Sequence, residues 1–250
     1  MEYPDESRQF EQLERRAQDL RARVAAAALR GGRAESDVRI MAVTKTISAH
    51  LIRDAYALGF RLFGENRVQE AQSKISQVEM PGAVWELIGH LQTNKAARAV
   101  QLFSRVQSVD SVHLAETLNR QALAQNRVLP VLLEVNVAGE KSKTGFSPAD
   151  LTGAATEIAR FPHLRPEGLM TVAPLVSDPE DARPIFRELR ALLRTLREHV
   201  PLASGAEWKE LSMGMTDDFE VAIEEGSTLI RVGRGLFGAR PPAHASSSAV

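Results

Sequence analysis

Lys45 ends a short apolar run, Val38-Arg39-Ile40-Met41-Ala42-Val43-Thr44-Lys45, and a helix-starting pattern follows at Ser48. Such a run, apolar on both faces and rich in β-branched residues, reads as a buried parallel strand. An amine delivered at its carboxyl end sits at the mouth of the sheet, partly desolvated. Desolvation disfavours the ammonium and makes the neutral, nucleophilic amine easier to reach, which is what a Schiff base needs. Taken alone, Lys45 is better read as a surface lysine in a strand-to-helix loop, so the partner residues matter. Two further segments supply them: Ser212-Met213-Gly214-Met215-Thr216 and Arg231-Val232-Gly233-Arg234-Gly235. Hydroxyls, glycines and a following helix start favour phosphate, because unpaired N–H groups and the helix dipole point at it. Each segment is also ordinary turn and capping chemistry. An imine-forming amine and a phosphate cradle together suggest pyridoxal phosphate. Arg231 could then face the pyridine nitrogen and, being unable to accept a proton, keep that nitrogen unprotonated. A salt bridge at the rim is the other reading of Arg231.

The elements that must position these residues alternate along the chain. Strand-type runs fall at Val38–Val43, Arg61–Phe63, Val84–Ile88, Arg105–Gln107, Pro130–Val137, Arg165–Met170, Glu210–Ser212 and Thr228–Val232. Helical patterns fall between them at Ala49–Leu58, Val68–Val78, Lys95–Val100, Leu114–Gln125, Pro148–Arg160, Ala182–His199 and Asp217–Glu225. About eight strand–helix units in this length predict an α/β fold, a single (β/α)8 TIM-type barrel, with an extra N-terminal helix from Glu6 to about Arg30. A doubly wound open sheet is the alternative, since alternation alone does not show closure. The expected organisation is residues 1–35 as a helix packed on the barrel, 36–240 as the barrel, and 241–250 as a disordered tail. In a barrel, the loops after strands seven and eight often build a phosphate site, and the two glycine-containing segments fall there.

Composition narrows the function classes. The 250 residues are 44% hydrophobic and 25% charged with a formal net charge of -1, so no overall basic field draws the protein to nucleic acid or membrane. There is no cysteine, which removes disulfides and thiolate chemistry, and the six histidines lack HxxxH or HxH spacing. The acidic start Met1-Glu2-Tyr3-Pro4-Asp5-Glu6 has no apolar signal core, and a cytoplasmic protein is expected. His113, His163, His199 and His244 stand alone, and Arg15, Arg16, Arg21, Arg23 and Arg30 are interleaved with acids and alanine as a solvated helix face.

With these residues in view, the chain resembles the pyridoxal phosphate homeostasis proteins (the proline synthetase co-transcribed homologues) and, through them, the alanine racemase barrel. The resemblance runs from about Val38 to Arg240. It rests on AVTKT around Lys45, FGENRVQE from Phe63, IGHLQTNK from Ile88, EVNV from Glu134, KTGF from Lys143, GLM from Gly168, LSMGMTDDFEVAI from Leu211 and STLIRVGRGLFG from Ser227. It implies a single barrel holding pyridoxal 5′-phosphate as an internal aldimine on Lys45. It also implies phosphate contacts around Ser212, Met213, Gly233 and Arg234, Arg231 near the ring nitrogen, and Asn66, His90 and Met170 near the cofactor face. Members look like cofactor carriers that affect vitamin B6 and amino-acid balance, with no established turnover. Two positions depart from the pattern: Glu86 stands where a histidine is more usual, and Arg234 where a small hydroxyl residue is.

The carrier reading also has support in the residues. A racemase of this barrel type needs a second acid/base opposite the lysine, usually a tyrosine from another domain. Here the two tyrosines are Tyr3, near the terminus, and Tyr56, on the helix after Lys45. The leading expectation is therefore a non-catalytic pyridoxal phosphate protein, monomeric or a weak dimer. Its partners would be the cofactor and free amino acids, without nucleic acid or membrane. A pyridoxal phosphate enzyme of weak or unknown amino-acid activity, a cofactor-free Schiff-base lyase for sugar phosphates, and an interaction scaffold are the alternatives.

Overall fold

The computed structural model describes residues 4–140, 142–203 and 206–238. Its strands are β1 (Arg39–Val43), β2 (Leu62–Glu65), β3 (Val84–Leu87), β4 (Arg105–Val109), β5 (Leu129–Glu134), β6 (Leu164–Met170), β7 (Glu210–Ser212) and β8 (Leu229–Val232). They pair in parallel and in chain order, and β8 returns to β1 with Ala42 opposite Val232, so the sheet is closed. The doubly wound alternative is excluded by that last pairing. The helices are α1 (Pro4–Arg30), α2 (Ala49–Ala57), α3 (Val68–Ile75), α4 (Ala96–Leu102), α5 (Val112–Ala124), α6 (Leu151–Ile158), α7 (Arg183–His199), α8 (Phe219–Glu224) and α9 (Arg234–Phe237). Ser48 and Ser111 start α2 and α5, their hydroxyls accepting from the amides of Leu51 and Leu114.

Strand alternation divides the apolar residues between two cores. Outward-facing Ala42, Phe63, Leu87, Val106, Leu169 and Leu211 join the helices in one large core, where the rings of Phe63 and Trp85 stack at 5.1 Å. Inward-facing Met41, Val43 and Leu229 form a small separate cluster inside the barrel, with Leu62 and Ile88 against it. Barrels of this type usually fill the interior with branched apolar layers. Here much of it is polar instead, as described below.

The expected first helix lies along the side of the barrel. Leu13, Ala17, Leu20, Val24, Ala27 and Ala28, at helical spacing, form its buried stripe, and it packs on α8, α9 and α2. Charged groups fasten its edge: Arg23 and Arg30 each reach Glu220 at 2.8 Å, and Arg30 reaches Glu224 at 2.6 Å.

Boundaries moved where side chains compete for the backbone. β5 ends at Glu134 rather than Val137, because Asn136 turns the chain, its Nδ2 donating to the carbonyls of Glu140 and Lys143. β2 runs on to Glu65, whose carboxylate is buried. The single turn α9 carries no periodic signal and was not expected. The tail from Pro241 falls outside the described residues, and among the described residues no helix is long and apolar enough to cross a membrane.

Burial alone would raise the carboxyl pKa values of Glu220 and Glu224, but hydrogen bonds from Arg23 and Arg30 to the first, and from Arg183 and Arg30 to the second, hold both below the usual range. Carboxylates depressed in the fold stabilise it above their unfolded pKa, and that contribution is lost as pH falls through the folded value. The urea midpoint should therefore drop as pH is lowered from about 5 to about 3, and drop less steeply in the Glu220→Gln, Glu224→Gln double variant. Parallel profiles for the two proteins would show that the α1–α8 ion pairs are not the groups responsible.

Candidate functional site

Lys45 leaves the carboxyl end of β1 in a tight turn and is half-buried. The residues on either side of it are fixed from β2 and α3. Thr44 Oγ1 donates to Glu65 Oε1 at 2.6 Å, and Lys74 Nζ donates to the Thr44 carbonyl at 2.5 Å. The Thr46 amide donates to Glu70 Oε1 at 2.5 Å, with Thr46 at φ 65° in left-handed space. Lys74 ties both acids together, reaching Glu65 at 2.7 Å and Glu70 at 2.6 Å. Burial pushes the Glu65 carboxyl up, opposed by Lys74 and Thr44; Glu70, less buried, is held below its usual range by Lys74 and the Thr46 amide. A buried Glu–Lys–Glu group thus clamps the backbone that presents Lys45. Glu65 and Glu70 lie in the FGENRVQE segment, but Lys74 was missed, because its link to Glu65 spans a strand-to-helix turn that no spacing rule marks.

Across the mouth stands Arg231 on β8, only 4% exposed. One nitrogen donates to Ser212 Oγ at 2.6 Å and another to the Thr171 carbonyl at 2.7 Å. Both direct partners are neutral oxygens. Burial pulls the guanidinium pKa down to about 10, against the charges of Asp218 and Glu134, so it remains a cation at neutral pH. The rim salt bridge considered from sequence is therefore not what this arginine makes. Ser212 passes the chain on, donating to Gln107 Oε1 at 2.6 Å, and Gln107 donates to Glu86. Glu86 lies beside Arg105, which also meets Glu167 and Glu210, and Glu210 holds Arg39. A polar file thus runs through the barrel from the carboxyl-end mouth to the amino end. The unusual Glu86 is one of its links, with its pKa raised by burial.

The remaining sequence-predicted residues lie at the carboxyl end in different ways. Met170 is buried at the end of β6, in register with Glu134 on one side and Ser212 on the other. Asn66 follows β2, its Oδ1 buried without a hydrogen-bond partner among the described residues. His90 is exposed, and its Nδ1 lies 2.9 Å from Asp110 Oδ2. Glu134, inside the EVNV motif but not singled out, faces the same space; burial and the nearby Asp110 raise its pKa, and its Oε2 has no partner among the described residues. Two side chains turn away. Met213 packs into the outer core, one residue out of phase with Ser212, so only its backbone is available to the mouth. Arg234 is exposed and paired with Asp217 at the surface, which resolves the direction of that extra cation.

The turns after β7 and β8 are held against each other. The Gly235 amide donates to Thr216 Oγ1 at 3.1 Å, and a Cβ on Gly235 would lie 3.1 Å from both Thr216 Cγ2 and Val232 Cγ1. Gly214, at φ 92°, lies against α8 where a Cβ would come within 2.6 Å of the Ala222 Cβ. β1–β8 pairing sets Gly233 beside Val43, two residues before Lys45. A half-buried amine, a fixed buried guanidinium, adjoining hydroxyl- and glycine-bearing turns, and two orphaned oxygens on Asn66 and Glu134 fit a phosphorylated pyridine aldehyde.

Residues 11–241 match the family described as alanine racemase, N-terminal domain. The chain is 39% identical over 218 residues to the pyridoxal phosphate homeostasis protein of Aquifex aeolicus, covering 87% of this chain and 94% of that one. It is 40% identical over 219 residues to the protein of the same name from Pseudomonas aeruginosa, covering 88% and 92%. Among solved structures, PipY of Synechococcus elongatus with PLP bound superposes with a TM-score of 0.80 at 36% identity, covering 90% of this chain and 100% of that one.

Removing one partner of a buried ion group strands the other charges. Lys74→Met should cost about 3 kcal/mol of folding stability by urea denaturation, and Glu65→Gln added to it should restore part of the loss. A Lys74→Met protein as stable as the parent would contradict the clamp.

Proposed function

We propose, from the premise that the chain belongs to the alanine racemase N-terminal domain family, that it binds pyridoxal 5′-phosphate at the carboxyl end of the barrel and serves as a carrier in vitamin B6 and amino-acid homeostasis rather than as an enzyme. Lys45 is the covalent anchor. The Ser212–Thr216 and Gly233–Gly235 turns hold the phosphate through backbone amides and hydroxyls, with Arg234 contributing its backbone. Arg231 meets the ring nitrogen, Met170 supports the ring, and Asn66 and His90 border its exposed side. When bound, the group supplies an aldehyde carbon that exchanges between amines.

The observation that carries this reading is the fixed, charged Arg231 at the mouth. A guanidinium held by Ser212 and Thr171 cannot accept a proton from the ring and offers it no carboxylate, so the ring is kept a weak electron sink. Tyr56 points the same way. Its hydroxyl donates to the Pro81 carbonyl at 2.8 Å, ahead of β3 and at the opposite end of the barrel from Lys45. Tyr3 lies outside the described residues. One observation favours a second reading as a slow enzyme: His90, oriented by Asp110, is a proton-transfer pair on the cofactor side.

Purified protein given pyridoxal 5′-phosphate and desalted should keep a visible absorbance band. Lys45→Ala should retain at least about tenfold less of it. In deuterated water, loaded protein should exchange the α-protons of added amino acids no faster than free cofactor does. Exchange well above that background and lost in His90→Ala would select the enzyme reading. Failure to retain the cofactor at all would sink both and bring forward the cofactor-free lyase.

A further inference from the structure

At the opposite end of the barrel, a groove with a cavity volume of about 800 Å³ opens between α7, the end of α1 and the starts of β7 and β8. Its charged lining is Arg33, Arg187, Arg190, Arg194, Arg197 and Lys209, against Glu224 and Glu225. Those two acids are already engaged: Arg183 bonds both at 2.7 and 3.0 Å, Arg30 holds Glu224, and Arg187 holds Glu225. Arg33 and Arg197 donate to carbonyls of Ser227 and Trp208, neutral partners that leave their charge uncompensated. Among the described residues, no hydrogen bond or ion pair engages the side chains of Arg190, Arg194 or Lys209. The whole chain has a net charge of -1, so this concentration of unneutralised cations is local.

The arrangement is built rather than scattered. Arg183, Arg187, Arg190, Arg194 and Arg197 recur at alternating spacings of four and three, which aligns them in one stripe along α7. The adjoining stripe, Phe186, Leu189, Leu193 and Leu196, is buried and fixes the helix's rotation. Gly226 leaves room for the Arg190 stem, whose Cδ would lie 3.2 Å from a Cβ there. The Arg33 guanidinium is shifted down first by burial, against the charge of Asp37, and further by Arg190, which lines the same groove.

We propose that this groove binds a small ligand carrying two or more linked phosphate groups. Guanidinium forks match phosphate oxygens, and an Arg cluster recovers its mutual repulsion when a multiply charged anion enters. From Arg187 to Arg197 the stripe runs about 15 Å at the helical rise, longer than one phosphate can bridge. The cavity has the volume of a small-molecule site. Leu193, Leu211 and Ala191 add an apolar wall, so a free oligophosphate and a nucleoside polyphosphate are both compatible. The groove lies at the amino ends of the strands, and the inference is independent of the cofactor reading.

The test is isothermal titration of the full chain, first incubated with pyridoxal 5′-phosphate and borohydride to block the carboxyl-end site, with orthophosphate, pyrophosphate, tripolyphosphate and adenosine triphosphate at fixed ionic strength. The expected result is saturable one-to-one binding that strengthens from orthophosphate to tripolyphosphate and weakens with added salt. Adenosine triphosphate exceeding tripolyphosphate would identify the nucleoside form, and the reverse the free oligophosphate. Arg190→Glu with Arg194→Glu should weaken binding at least about tenfold, and the matching lysine pair much less, with unchanged thermal midpoints and cofactor absorbance. No saturable binding, equal affinity for all four anions, or an affinity unmoved by charge reversal would overturn the proposal. So would a clear preference for a single-stranded oligonucleotide over every small anion. If the cofactor does not load, the same titration with the charge-reversed pair still localises any binding, so failure of one reading is distinct from failure of the other.

Discussion

A cation without a carboxylate in contact sits at the mouth of this barrel, and much of the interior is arranged around it. Arg231 is nearly inaccessible to water, and its charge is stabilised by Ser212 Oγ, the Thr171 carbonyl and the more distant Glu134 and Asp218. Ser212 must be oriented to accept from it, and Gln107 on β4 does that by accepting a hydrogen bond from the Ser212 hydroxyl. Gln107 in turn needs Glu86, and Glu86 needs Arg105. A buried polar group left unpaired costs about 1–3 kcal/mol, so each link constrains the next. This is why charged and amide side chains replace part of the apolar filling, and why Glu86 is tolerated in mid-barrel.

The mouth's other half is set by the clamp on the β1–α2 turn. Thr44 and Thr46 are held by side chains from the neighbouring unit, and closure by β8 brings the Gly233 turn alongside. The lysine is thus presented by backbone fixed on both sides, and the phosphate-favouring turns cannot drift from it without opening the barrel. Amine, guanidinium and turn amides come from the ends of β1, β7 and β8, and their spacing is a property of the closed sheet.

Much of this was legible in the residues. Alternating apolar runs placed all eight strands, and the glycine-bearing segments fall after the last two, as expected. Closure was expected from the number of strand–helix units and from the family resemblance, since alternation itself is the same for open and closed sheets until β8 is seen against β1. The interior file was hidden for a related reason: Gln107, Glu86 and Ser212 are far apart in sequence and meet only across the barrel. Lys74 carried no signal in the sequence, and only the packing of α3 on β2 buries it. Met213 was grouped with its neighbour Ser212 although strand alternation sends them to opposite faces. The direction of Arg234 depended on a surface partner, Asp217, contributed by another loop.

The central claim is that Lys45 is the anchor for an aldehyde cofactor. Its most direct test is to load the protein with pyridoxal 5′-phosphate, reduce with borohydride, digest, and map the modified peptide by mass spectrometry. The account predicts one pyridoxyl phosphate group, on Lys45, absent from Lys45→Ala. Label on another lysine, or label that persists undiminished in Lys45→Ala, would contradict it.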